Sequence, residues 1–221
     1  MYSRQLLTSR LTKKESLTSC YYSTRGALGG GFNEEDLRRW FIQETSNIGN
    51  EQRRNRTRRI NSVINETTNS NDEVFADMFS HRVSPTCATW LDGRPHPSSE
   101  MARAYFGSSR FAPEHVIMRP FFSQHSSLPP KFEINTKFMV WDTKVVSPYE
   151  LICTWRMPSS SIHGCTMVGF DPMSRKVYHG NCLSTEWISS ARFLLPLHEK
   201  YAQFLMHGMV NHLEKLSTHK N

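Results

Sequence analysis

The fold turns on residues 137–183, KFMVWDTKVVSPYELICTWRMPSSSIHGCTMVGFDPMSRKVYHGNCL. Four runs rich in β-branched and aromatic residues follow one another here: KFMVWDTKVV, ELICTWRM, IHGCTMVGF and RKVYHGNCL. Such runs read as strands, and their connectors SPY, PSSS and DPMS carry turn chemistry. None of these connectors has room for a helical crossover, so neighbouring strands run antiparallel and a doubly wound parallel sheet is excluded. A meander is the expected outcome.

Two histidine and cysteine pairs sit inside this stretch, His163 with Cys165 and His179 with Cys182. Strand side chains alternate between faces, so His163 and Cys165 are expected on one side, and His179 and Cys182 on opposite sides. One strand then offers two soft ligands and its neighbour one, short of a tetrahedral shell unless Cys153, His198 or Cys87 completes it. These residues are read as core or cavity wall, and no metal is expected.

Downstream, from Pro196 to about Leu216, an amphipathic helix is predicted. Leu197, Tyr201, Phe204, Leu205, Met209, Leu213 and Leu216 fall on one stripe, opposite Glu199, Lys200, Gln203 and Asn211. A helix with one apolar side, placed after a meander, needs a sheet face to cover. The expected class is therefore α+β, an antiparallel meander wrapped on a long carboxy-terminal helix.

Upstream, Met101, Ala102, Tyr105 and Phe106 repeat at helical spacing until Gly107 stops them. A second helical piece, APEHVIMRPFF, has Pro113 in its first turn and runs out at Pro120, and LPP at 128–130 leads into the sheet. Asn33 followed by Glu34, Glu35 and Asp36 predicts the start of a short helix, whose stripe of Leu37, Trp40 and Phe41 docks on the domain or on a partner.

The net charge of +7 suggests a nucleic-acid partner until its distribution is examined. Residues 1–32 carry +4 and residues 33–71 carry +1, which leaves +2 for residues 72–221. The part of the chain that reads as globular is nearly neutral, and DNA is not an expected partner. Arg53, Arg54, Arg56, Arg58 and Arg59 form the densest basic run after the leader. They could neutralise RNA phosphates, but no aromatic residues are interleaved for base stacking, so a solvated linker is the simpler reading.

The first 32 residues are rich in Ser, Thr, Leu and basic side chains and nearly free of acid. They resemble a mitochondrial presequence with a cut near Tyr22, which places the expected protein in the matrix. A Gly-rich hinge at Gly26–Gly31 closes this segment. The expected organisation is a leader and hinge over 1–32, a short helix plus Arg/Asn-rich linker over 33–71, and one α+β domain over 72–221. No apolar run reaches the roughly 20 residues a bilayer span needs, so the chain is not expected to be an integral membrane protein. Five cysteines at irregular spacing do not read as a disulfide framework.

Catalytic signatures are missing from the sequence: no nucleophile elbow, phosphate loop, dinucleotide fingerprint or zinc-protease motif is present. His198 with Glu199, or Asp142 beside Trp141, are the acid–base candidates, and both read as structural or solvated. No catalytic residue and no cofactor are expected.

The order EMARAYFGSSRFAPEHVIMRPFF, FMVWDTKVVSPYELICTWRM, HGCTMVGFDPMSRKVYHGNCL and ARFLLPLHEKYAQFLMHGMVNHL resembles a mainly bacterial family of START-like or polyketide-cyclase-like helix-grip domains. The resemblance spans residues 72–215, with Pro196-Leu197-His198 as its best landmark. It implies an apolar cavity between sheet and terminal helix, of the kind used for lipids, sterols and quinones, and further strands within 72–92. The resulting expectation is a non-catalytic carrier or chaperone for a hydrophobic small molecule. Its expected cavity wall includes Trp155, Met167, His179, His198, Tyr201 and Phe204. The alternative is an accessory protein of the mitochondrial ribosome or another large complex, docking through the arginine run and the Trp40 helix.

Overall fold

The computed structural model describes residues 33–57, 74–119, 127–157, 162–184 and 195–219, with the backbone alone described for 47–57. The leader over 1–32, Arg58 and Arg59, and the rest of the linker to residue 73 lie outside the described residues.

The meander is present, extended at both edges. β3 (Trp141–Val146), β4 (Glu150–Arg156), β5 (His163–Asp171) and β6 (Lys176–Leu183) follow in order, each antiparallel to the last. β1 (Phe75–Arg82), inside the stretch where further strands were expected, pairs antiparallel with β6 from Phe75 opposite Leu183 to Arg82 opposite Lys176. The six-stranded order is β1-β6-β5-β4-β3-β2, an open sheet rather than a closed barrel. The run at 137–146 is two strands, not one. Met139, with φ of 53°, turns the chain between β2 (Lys137–Phe138) and β3, so that Phe138 pairs with Trp141. A second irregularity falls between Thr143 and Val145, where a bulge leaves Thr143 opposite Cys153 and Val145 opposite Ile152.

Helices cover both faces. On the inner face lie α2 (Pro85–Asp92), α3 (Pro97–Phe106), a 3₁₀ turn (Ser109–Phe111), α4 (Ala112–Met118) and the long α5 (Leu195–Thr218). Gly107 ends α3, as the helical spacing predicts. α2 was not anticipated from the sequence. Its cap, Ser84, accepts the Cys87 amide at 3.1 Å, while Glu214 near the end of α5 accepts the Ser84 amide at 2.7 Å and its hydroxyl at 2.6 Å. One carboxylate thereby ties the last helix to the start of the second.

α5 buries Ala202, Leu205, Met206, Met209, Val210 and Leu213. Its inward stripe is rotated from the expected one, since Leu197 and Phe204 are 64% and 42% exposed. Gly208 explains the rotation. A Cβ there would stand 2.9 Å from both Arg110 Cβ and Ser108 Oγ, so the helix presents its backbone to the 3₁₀ turn at that point. On the same face Phe106, Phe111, Phe132, Phe138 and Trp141 form an aromatic cluster with ring centroids 5.1 to 6.4 Å apart in tilted, edge-on and stacked pairs.

On the outer face lies α1 (Glu34–Thr57), capped by Asn33, whose Oδ1 accepts the Asp36 amide at 2.9 Å. Leu37, Trp40 and Phe41 are at most 2% exposed and pack on Ile152, Cys165, Met167 and Cys182. At roughly 2 kcal/mol per buried side chain, these three contribute on the order of 6 kcal/mol of gross docking energy before ordering entropy is charged. The helix is longer than the short one expected: it continues through Arg53, Arg54 and Arg56, where the sequence read as linker.

Candidate functional site

The inner face and α5 do not meet flush. Between them lies a half-open pocket of about 310 Å³. Its sheet wall is built on cross-strand register. Trp155 stands opposite Gly164, where a Cβ would lie 2.4 Å from Trp155 Cζ2, so the missing side chain leaves room for the indole to lie across β5. Trp141 pairs with Trp155 from the other side and completes an aromatic wall. The opposite wall comes from α5 through His198, Tyr201, Ala202 and Leu205, and the third side from Tyr105 of α3 with Glu114 and Met118 of α4.

Across the floor runs a row of hydrogen bonds with one direction. Thr166, Asn181 and Asp77 are register partners on β5, β6 and β1, so their side chains line up across the strands. Trp141 Nε1 donates to Thr166 Oγ1 at 3.3 Å, and Thr166 donates to Asn181 Oδ1 at 3.4 Å. Asn181 then donates its amide nitrogen Nδ2 and its backbone N–H to Asp77 Oδ1, at 3.0 and 3.1 Å. His198 Nε2 approaches Asp77 Oδ2 from α5 at 3.2 Å, an ion-pair distance without hydrogen-bond alignment. The hydrogen bonds of the row all run toward Asp77 Oδ1, which is how a buried acceptor is satisfied in an apolar setting.

Two further polar pairs face the pocket. The Tyr201 hydroxyl donates to Glu114 Oε1 at 2.9 Å. Burial raises the Glu114 carboxyl above its ordinary range, against the Tyr201 hydrogen bond and the charge of His115, which lower it. The same burial raises Tyr201, helped by the neighbouring Glu114 charge. Tyr105 pairs its hydroxyl with His179 Nε2 at 3.1 Å and stacks on that ring at 4.8 Å. Burial pulls the His179 imidazole down to about 4, so it stays neutral at physiological pH.

Of the six expected wall residues, Trp155, His198 and Tyr201 line the pocket. Met167 lies on the opposite face, fully buried beneath α1, because strand parity sends Thr166 inward instead. His179 sits behind Tyr105 as its support, and Phe204 turns outward under the Arg110 guanidinium at 4.6 Å. Phe204 also accepts a hydrogen bond on its carbonyl from Arg110 Nη1, at 3.1 Å.

His163 and Cys165 share the outer face, His163 with its ring 5.6 Å from Phe41. His179 and Cys182 take opposite faces, as the alternation required. The described residues contain no group of three His, Cys, Asp or Glu placed to hold a metal ion. Burial pushes the Cys87 and Cys153 thiols up to about 12, which removes them as nucleophiles at neutral pH. Asp142 is paired with Lys144 at 2.8 Å, and Glu199 is exposed.

Glu114, Tyr105, Asp77, Thr166 and Asn181 are the site residues that sequence reasoning did not single out. Three of them could have been found by extending the meander to β1 and counting register. A hollow of about 430 Å³ on the outer face, beside α1, is edged by Lys137, Lys144, Arg156, Glu44 and Asp142 and has the character of a solvated groove.

No protein-family model, curated protein or solved structure matches the chain.

Proposed function

We propose that this protein binds a hydrophobic small molecule between its sheet and its terminal helix and serves as a carrier or chaperone for it. One observation carries the reading: a pocket of about 310 Å³, walled by Trp141, Trp155, Tyr201 and Leu205, lies beneath a helix that otherwise packs tightly. That size falls at the lower end of the range for small-molecule sites, and the mixture of apolar walls with a few fixed polar groups is typical of them. The hydrogen-bonded floor supports orientation of one polar end of the ligand. Lipid, sterol and quinone fragments have this chemistry. The basic, acid-poor leader supports a mitochondrial matrix location. Among the described residues no helix is long and apolar enough to cross a membrane.

Protein purified without detergent, extracted with organic solvent and analysed by mass spectrometry, is expected to release an apolar compound in a fixed ratio to the chain. Trp155→Arg, which places a charge in the aromatic wall, is expected to release at least tenfold less. Extracts without ligand, from protein that also fails to take up any added amphiphile, would remove the carrier reading.

A second reading has its own support. α1 is anchored at Trp40 and continues as helix through Arg53, Arg54 and Arg56, a form suited to docking on an acidic or RNA-containing assembly such as the mitochondrial ribosome. Co-sedimentation with ribosomal particles, lost on deleting 51–60, would favour it over a carrier.

A further inference from the structure

We propose that the pocket selects amphiphiles with a cationic, ammonium-type head. The inference rests on the binding reading above and adds to it the charge of the ligand. It starts from Glu114, a carboxylate on the wall of a largely apolar pocket. Its hydrogen-bond partner is the neutral Tyr201, and among the described residues no Lys, Arg or His nitrogen lies within ion-pair distance of it.

The basic groups nearby are committed elsewhere. His198, the basic side chain on the lining, is directed at Asp77 at 3.2 Å. His115, next to Glu114 on α4, points its Nε2 at the Phe106 carbonyl at 3.3 Å. Arg110 lies over the Phe204 ring and on the Phe204 carbonyl, off the lining. His179 is held neutral by burial. Among the described residues, Glu114 is the carboxylate on the lining, its nearest basic group His115 is turned to a backbone carbonyl, and the one histidine on the lining faces Asp77 instead.

An ammonium head would complete this arrangement. It would donate to Glu114 and offset the desolvation that now raises that carboxyl. Tyr105, Trp141, Trp155 and Tyr201 also line the same space, and ring faces attract a cation desolvated against them. A carboxylate or phosphate head would meet an acid where it needs a donor. Repulsion of that kind is what separates ligands with equal tails.

Isothermal titration of the full chain with decylamine, decanol and decanoate tests the charge at constant tail. The expected result is that decylamine binds at least tenfold more tightly than decanol, with decanoate weakest. Glu114→Gln keeps an acceptor for Tyr201 and is expected to abolish the preference, so that this variant binds decylamine no more tightly than it binds decanol. Glu114→Asp keeps the charge and the preference. If decanol binds but decanoate equals or exceeds decylamine, or if the amine preference survives Glu114→Gln, the charge selection is overturned and the pocket stands. If none of the three binds, the selection falls together with the binding reading beneath it.

Discussion

Glu150 shows how far burial alone can move one group. It is 3% exposed at the start of β4, its Oε2 has no hydrogen-bond partner among the described residues, and burial pushes its carboxyl up to about 8. Folded protein therefore holds a proton that unfolded chain, with an ordinary carboxyl near 4.5, has already released. Across that window the folded state binds more protons, so stability must fall as pH rises, by at most about 1.4 kcal/mol per pH unit. His179 acts in the opposite sense below its ordinary value of 6.5, where unfolded chain gains a proton that the buried ring refuses until about 4. From pH 6.5 upward that opposition fades, and the Glu150 slope dominates up to about pH 8. Urea denaturation at half-unit steps over this range is expected to show stability declining with pH in the native chain. In Glu150→Gln the decline should be largely lost. An unchanged slope in the variant would mean that the carboxyl ionises freely in the fold.

At the scale of elements, α5 holds the molecule together through a close approach that one methyl group would disturb. Gly208→Ala sets a Cβ 2.9 Å from Arg110 Cβ and Ser108 Oγ. Overpacking of this kind costs about 1–3 kcal/mol, and the helix-propensity gain of Ala over Gly returns up to about 1 kcal/mol. A net loss is expected in chemical denaturation, and a stabilised variant would show that the 3₁₀ turn yields easily. The same region shows what a sequence can reveal. The order of strands, the antiparallel connections and the extent of α5 follow from periodicity and turn chemistry, which are local. The facing of individual side chains does not. β5 is buried along nearly its whole length because α1 covers the outer face while α3 covers the inner, so apolar residues fill both parities and Met167 looks no different from Val168. The rotation of α5 came from a glycine whose neighbour is distant in sequence. Glu114 lay beyond reach for another reason: a lone carboxylate on a short helix reads as solvated, and only the approach of Tyr201 across 87 positions shows otherwise.

The described residues form a sheet between two separate cores, and their four free thiols are divided between them. Cys87 and Cys153 belong to the inner cluster, while Cys165 and Cys182 lie opposite one another across β5 and β6 beneath α1. Among the described residues the apolar anchors of α1 are Leu37, Trp40 and Phe41, whereas the inner helices are locked by an aromatic cluster and the Glu214 clasp. The first cover to lift should therefore be the outer one. In a Cys20→Ser background, thiol-reactive reagent in mild urea then becomes a stopwatch with two hands. Cys165 and Cys182 are expected to be tagged early and Cys87 and Cys153 late, with Trp40→Ala quickening only the early pair. Simultaneous tagging of all four would mean that the lid and the body come apart as one.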